Sequence, residues 1–289
     1  MTHPESSFET IKHHVQDAAE DAAQEARPWV ERLTRLGFVA KAVVYITIGV
    51  LAIQAAFGFG GEKTDPPGAI QQLSEYRGGE WLVGLLALGL VGYALLRLIQ
   101  AVRDTEGKGS DLKGWTQRGG YLASGVTYLA FAFIAARRLI AGDAFDTSDA
   151  VNDITARVLL NPVGEVLVGL AGVVGVGVGA YQFYRAYKAD FCEKYRRQAM
   201  SDAQFRLATL IGRFGFAARG VVFGAIGVFL IIAALRSDAD QAEGLGGALE
   251  RLSQQPYGTW ILAVVALGLI AHGISMLVNA RYRRSVLPA

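Results

Sequence analysis

Arg35-Leu36-Gly37-Phe38-Val39-Ala40 recurs as Arg118-Gly119-Gly120-Tyr121-Leu122-Ala123 and again as Arg213-Phe214-Gly215-Phe216-Ala217-Ala218. The register continues ungapped through Val43, Val126 and Val221, then through Tyr45, Tyr128 and Phe223. Each copy opens a stretch too long and too apolar for a soluble core helix. Six such stretches are read at about 36–57, 80–102, 119–140, 163–187, 214–235 and 258–280, each near the roughly 20 residues that carry a helix across a bilayer. Barrel strands would alternate in polarity, whereas these runs are continuously apolar, so the spans are helical. The even-numbered spans repeat as well. Gly79-Glu80-Trp81, with Gly89 ten residues on, matches Gly258-Thr259-Trp260 with Gly268, while Asn161-Pro162-Val163-Gly164-Glu165 opens the looser middle copy.

Short amphipathic pieces precede the even spans: Ala69–Leu73, Ala150–Ile154 and Ala248–Leu252. One unit is therefore span, loop, short interfacial helix, span. The reading divides the chain into an amphipathic segment 1–34 and repeats at 35–110, 111–200 and 201–289. The fold class is an all-α polytopic membrane protein. Each unit has two spans, so the copies are parallel, and closure about a pseudo-threefold axis is expected. An inverted-repeat transporter would need an odd number of spans per copy.

Composition agrees. Of 289 residues 52% are hydrophobic and 19% charged, where soluble domains run near a quarter charged. One cysteine, Cys192, excludes a disulfide framework and a multi-thiolate metal site. A net charge of +2 without clustered basic residues gives no reason to expect nucleic acid. The polar first 35 residues are not a cleavable signal peptide. With both termini and the second and fourth loops on one side, 18 Lys and Arg fall there against 7 in the other loops, which predicts cytoplasmic termini. The third loop, with Asp143, Asp146, Asp149 and Asp153, makes the outer face acidic.

The repeated motif, six spans in three hairpins and a short helix before each even span resemble the bacterial membrane family catalogued as domain of unknown function 1206. The resemblance covers roughly residues 30–284. It implies a bacterial plasma-membrane protein and brings no established activity, cofactor or catalytic residue.

Three groups of residues are singled out. Arg35, Arg118 and Arg213 begin the odd spans, where a guanidinium and free helix N–H groups can grip an anionic lipid headgroup; the plainer reading is a snorkelling topological anchor. Phe38, Lys41, Tyr45 and Gly49, with Tyr121, Ser124, Tyr128 and Ala132 and with Phe216, Arg219, Phe223 and Gly227, each share a helix face. They would line a central cavity, or serve as helix packing. His272 lies at mid-depth, matching Tyr93 and Tyr181, either for ligand or proton handling or for a structural hydrogen bond. A metal is not expected there, because a second ligand is missing within a turn, and His13-His14 point to different faces of a helix. No cofactor is expected.

Gly172, Gly175 and Gly179 share a face, as do Gly220, Gly224 and Gly227, as close-packed membrane helices require. Gly175-Val176-Gly177-Val178-Gly179 has no strand before it and is not a nucleotide loop. No P-loop, nucleophile elbow, zinc-protease motif or intramembrane carboxylate pair appears, so an enzyme is the least supported class. The segment 5–33 reads as an amphipathic helix that lies at the interface with Trp29 or projects toward a protein partner, and 188–212 as a solvated basic loop. The expected function is a non-enzymatic structural or accessory protein binding membrane lipid, anionic lipid included, or partner subunits. Permeation of a small solute or ion along the pseudo-axis is the alternative.

Overall fold

The computed structural model describes residues 4–103, 111–141 and 154–284, with only the backbone over 4–27, 29–30, 103, 112–113 and 162. The acidic third loop and most of the middle short helix read at 150–154 lie outside the described residues. Among the described residues eight longer helices follow in order: α1 (Pro4–Ala56), α2 (Pro66–Glu75), α3 (Gly79–Arg103), α4 (Leu112–Ala141), α5 (Pro162–Lys188), α6 (Asp202–Arg236), α7 (Leu245–Ser253) and α8 (Gly258–Tyr282). Residues 154–159 are also helical. Six segments among the described residues are long and apolar enough to cross a membrane: Glu31–Ala56, Gly79–Val102, Gly114–Ala141, Val163–Lys188, Asp202–Arg236 and Gly258–Tyr282.

The amphipathic segment is not a separate element. It continues through Pro28 into the first span as one helix of 53 residues, about 80 Å at 1.5 Å per residue. The short helices α2 and α7 form where the sequence places them. Asp65 starts α2, its carboxylate accepting the Gly68 N–H at 3.0 Å ahead of a proline-led first turn.

The spans pack in the order α5, α6, α8, α1, α3, α4. Two hairpins close on small residues. A Cβ on Gly37 would lie 2.7 Å from Tyr93 Cβ and 2.8 Å from Gly89 O, while Gly89 itself faces Ala40. Gly215 meets the His272 backbone in the same way, and Gly268 faces Ala218. The repeated Gly and Ala of the motif are thus the contact surface between the two spans of a hairpin. The middle hairpin is open. α4 and α5 do not pack on one another, Gly120 and Gly177 face open space, and Ala123 is exposed. Pseudo-threefold closure is therefore incomplete. The physical reason is the partner α5 has instead: Gly172, Gly175 and Gly179 lie against Gly227 and Gly224 of α6, the most extensive helix pair in the molecule.

The stretch read as a solvated basic loop is folded. Single turns at Asp190–Lys194 and Arg197–Ala199 carry Phe191, Tyr195 and Met200 into a small core with Phe216. Phe191 fills the space that Gly212 leaves vacant. Tyr195 bridges antiparallel to Arg283, and the Arg196 N–H donates to Tyr282 O at 2.7 Å, tying this segment to the end of α8. Ser201 and Gln204 then form a reciprocal capping box that starts α6 twelve residues before its predicted span. Burial pushes the Cys192 thiol up, and the nearby Thr209 hydroxyl opposes this.

Repeats 1 and 3 are clasped at their short-helix end. Lys63 donates to Glu250 of α7 at 2.8 Å, which, with Gln254 assisting, holds the Glu250 carboxyl below its ordinary range. A depressed carboxyl stabilises the fold above its unfolded pKa, and the contribution disappears as pH falls through the folded value. Glu250→Gln is therefore expected to lower the thermal midpoint modestly near neutral pH. The difference from wild type should vanish in acid below the carboxylate range.

Candidate functional site

The interior is divided by polarity along its length. At the end carrying the short helices the described part is mainly apolar: Ala69 and Ile70 of α2 and Ala248 and Leu249 of α7 are buried with Val83, Leu86, Leu262 and Val265, and the polar Thr64 and Asp65 are buried at the start of α2. At the other end the buried side chains include Lys41, Gln100, His272, Ser275 and Asn279. The odd-span faces do meet there. Lys41 Nζ of α1 stands 4.1 Å from the centre of the Tyr93 ring and 4.6 Å from that of Tyr128. Tyr93 and Tyr128 pack edge-to-face at 4.7 Å. Arg219 of α6 lies over Tyr45 at 5.5 Å and Phe223 at 5.1 Å. Tyr45 in turn packs edge-on against His272 at 4.9 Å. Lys41, Tyr45 and Tyr128 line a narrow gap together with Pro66 and Ile70, so α2 covers its far end.

One expectation for this layer is corrected. Tyr181 does not join it: the side chain is 51% exposed on α5 and stacks on Tyr184, because α5 turns its glycine face to α6 instead. Ser124 is half-buried on α4, one turn from Tyr128. Arg97, read from the sequence only as a cation just inside a helix end, belongs to the layer as well. It donates from Nε to the Tyr93 hydroxyl at 2.9 Å and from Nη1 to Gln100 Oε1 at 3.0 Å, and lies over Tyr121 at 5.0 Å. Its spacing of four from Tyr93 and three from Gln100 was the available signal.

His272 is fully buried, and Arg219 Nη1 lies 3.2 Å from its Nε2. A guanidinium has no acceptor, so Nε2 accepts and the imidazole proton sits on Nδ1. The Nδ1–H and the Arg219 Nε–H are both buried without a partner among the described residues.

The three repeated arginines all have protein partners. Arg118 donates from Nε to Ala101 O at 2.6 Å and from Nη2 to Val102 O at 2.9 Å, capping the last carbonyls of α3. Arg213 does the same for α5 through Tyr187 O at 3.2 Å. Arg35 pairs with Glu31 one turn back at 2.8 Å. In repeats 2 and 3 the arginine thus joins an odd span to the C-terminus of the preceding even span, where the helix dipole favours a cation.

With the architecture described, comparison with known proteins gives it a place. The family model Domain of Unknown Function (DUF1206) matches three times, over residues 36–104, 119–189 and 214–283. The chain belongs to this family. Each match spans one hairpin repeat, as the recurring motif requires. The chain is also 36% identical over 260 residues to the uncharacterized protein YxxB of Bacillus subtilis (strain 168), covering 90% of this chain and 94% of that relative. No solved structure matches.

Proposed function

We propose that this DUF1206 protein is a non-enzymatic structural or accessory protein of the bacterial plasma membrane that binds membrane lipid. The observation that carries this reading is the one-ended interior. A cationic, aromatic layer lies toward one end, while α2 and α7 bury mainly apolar side chains at the other, which favours binding at one end over a continuous polar path. The three hairpins are arranged about a pseudo-threefold axis opened at the middle repeat. The bias of Lys and Arg supports cytoplasmic termini, an orientation in which the cationic layer lies toward the cytoplasmic leaflet. The long α1 carries the N-terminal segment away from the bilayer, a disposition suited to a protein partner.

Thiol labelling from outside intact cells tests the orientation, with Cys192 replaced by serine. A cysteine at Phe59 is expected to react and one at Arg206 to be protected; labelling of both or of Arg206 alone contradicts it. Native mass spectrometry of the protein released from its own membrane tests the lipid-binding reading. Retained lipid enriched in phosphatidylglycerol or cardiolipin is expected, and protein released bare overturns it.

A further inference from the structure

Lys41, Arg97 and Arg219 form a layer of positive charge inside the bundle with no negative charge of its own. Lys41 and Arg219 each lie six residues into their spans from the repeated arginines, and Arg97 lies six residues before Arg103. At 1.5 Å per residue all three sit about 9 Å in from the same end. Snorkelling does not explain Lys41, because its side chain is only 5% exposed. A matching carboxylate is missing from the sequence itself: Asp and Glu are absent from 36–57, 81–102, 114–141, 166–187, 203–236 and 258–282. The ion pairs among the described residues involve other groups.

What surrounds these cations is aromatic faces and three neutral acceptors, the Tyr93 hydroxyl, Gln100 Oε1 and His272 Nε2. The Tyr93 hydroxyl accepts from Arg97, and the rings of Tyr93, Tyr128, Tyr45 and Phe223 face the cations. Ring quadrupoles offset part of the cost of burial. They do not neutralise several positive charges held near one another, and buried charges persist when they are paired. The hydrogen-bond inventory points the same way. Arg219 Nε–H and His272 Nδ1–H are two buried donors left over, so the layer has surplus donors and needs an acceptor.

We infer that Lys41, Arg97 and Arg219, with His272 as a neutral donor, form a binding site for a phosphate-bearing anionic group. The inference rests on the lipid-binding reading and identifies the chemical class bound. Guanidinium forks on a phosphate give charge-assisted hydrogen bonds, and a lysine at its side adds a point charge. The approach we infer is between α4 and α5. The layer is flanked by α4, through Tyr121 and Tyr128, and by α5, whose Arg185 lies 4.3 Å from the centre of the Phe216 ring. These are the two spans that leave the middle hairpin open. A lipid headgroup enters laterally between them, while a free phosphate ion enters from the cytoplasmic end.

The test uses the full chain in phosphatidylcholine nanodiscs, with the thermal midpoint followed as phosphatidylglycerol is introduced or inorganic phosphate is added. A saturable rise with the lipid alone identifies a headgroup, and one with phosphate identifies a free ion. The double variant Lys41→Met with Arg219→Gln is expected to need about tenfold or more ligand for half the rise, since a charged hydrogen bond is lost. The control replaces Arg35, Arg118 and Arg213 by glutamine and should keep the wild-type half-saturation. If the double variant does not fold, either single variant gives the same readout. No rise with either ligand in wild type overturns the site. So does a rise that persists in the cluster variants or disappears in the control, and in that last case lipid binding stands while its place moves to the surface.

Discussion

Replacing Gly227 by valine is expected to separate α5 from α6 and to cost about 3 kcal/mol or more, near the upper end for forced overpacking. A Cβ there would lie 2.6 Å from Gly172 O and 2.9 Å from Gly175 C, and it would also crowd Val176 N. These are backbone atoms and cannot rotate aside. Relief requires moving one helix along its whole length, which gives up the glycine-on-glycine approach that holds α5 in the bundle. Because α5 does not pack on α4, it has no second span to hold it. The fraction of purified variant that elutes as a monodisperse species, with its thermal midpoint, measures this. The same substitution at Gly177, which has open space around it, should leave both near wild type.

The second large effect is expected at Leu249. Its side chain is fully buried in α7, in one core with Ile70, Val83 and Leu262. Leu249→Ala removes the transfer energy of its methyl groups and leaves a cavity, at a cost of about 2–5 kcal/mol. The loss falls on the short-helix end of the interior. Hydrogen exchange should therefore quicken first in α2 and α7 rather than in the spans. Leu249→Met, which conserves volume, should cost about 1.5 kcal/mol or less.

The spans, the repeats and two of the short helices were legible because each is a local pattern: continuous apolar runs, a recurring six-residue motif, and small amphipathic segments after loops. The glycine faces of α5 and α6 were legible too, since steps of three and four place each set on one side of its own helix, but not that the two faces meet. The open middle hairpin was not. Gly120 and Ala123 carry the same motif as their counterparts, and nothing local says that α5 has a better partner in α6. The folded segment at 188–200 was hidden for a related reason. Its charge dominates the composition, while Phe191, Tyr195 and Met200 acquire a core only when α6 and α8 arrive beside them.

The cationic layer was half legible. Lys41, Tyr45, Tyr128, Arg219, Phe223 and His272 were placed by the repeat register, with Tyr93 identified from the even spans. Arg97 was legible only as a cation just inside a helix end, because it stands outside the odd-span stripe and pairs within its own helix. Tyr181 was wrongly drawn in by analogy between copies, which fails where one copy packs differently. The repeated arginines show the same limit from another side. Their recurrence was plain, but the carbonyls that Arg118 and Arg213 cap belong to preceding spans and became visible only with the helices assembled.

Flux through reconstituted proteoliposomes tests most directly whether this protein binds at one face or conducts through its centre. With Ile70 and Leu249 buried at the short-helix end, the protein is expected to pass potassium, chloride, phosphate and small neutral solutes no faster than protein-free liposomes. Saturable flux of any of these above that background, abolished by Arg219→Gln, would contradict the account and make the cationic layer part of a permeation pathway.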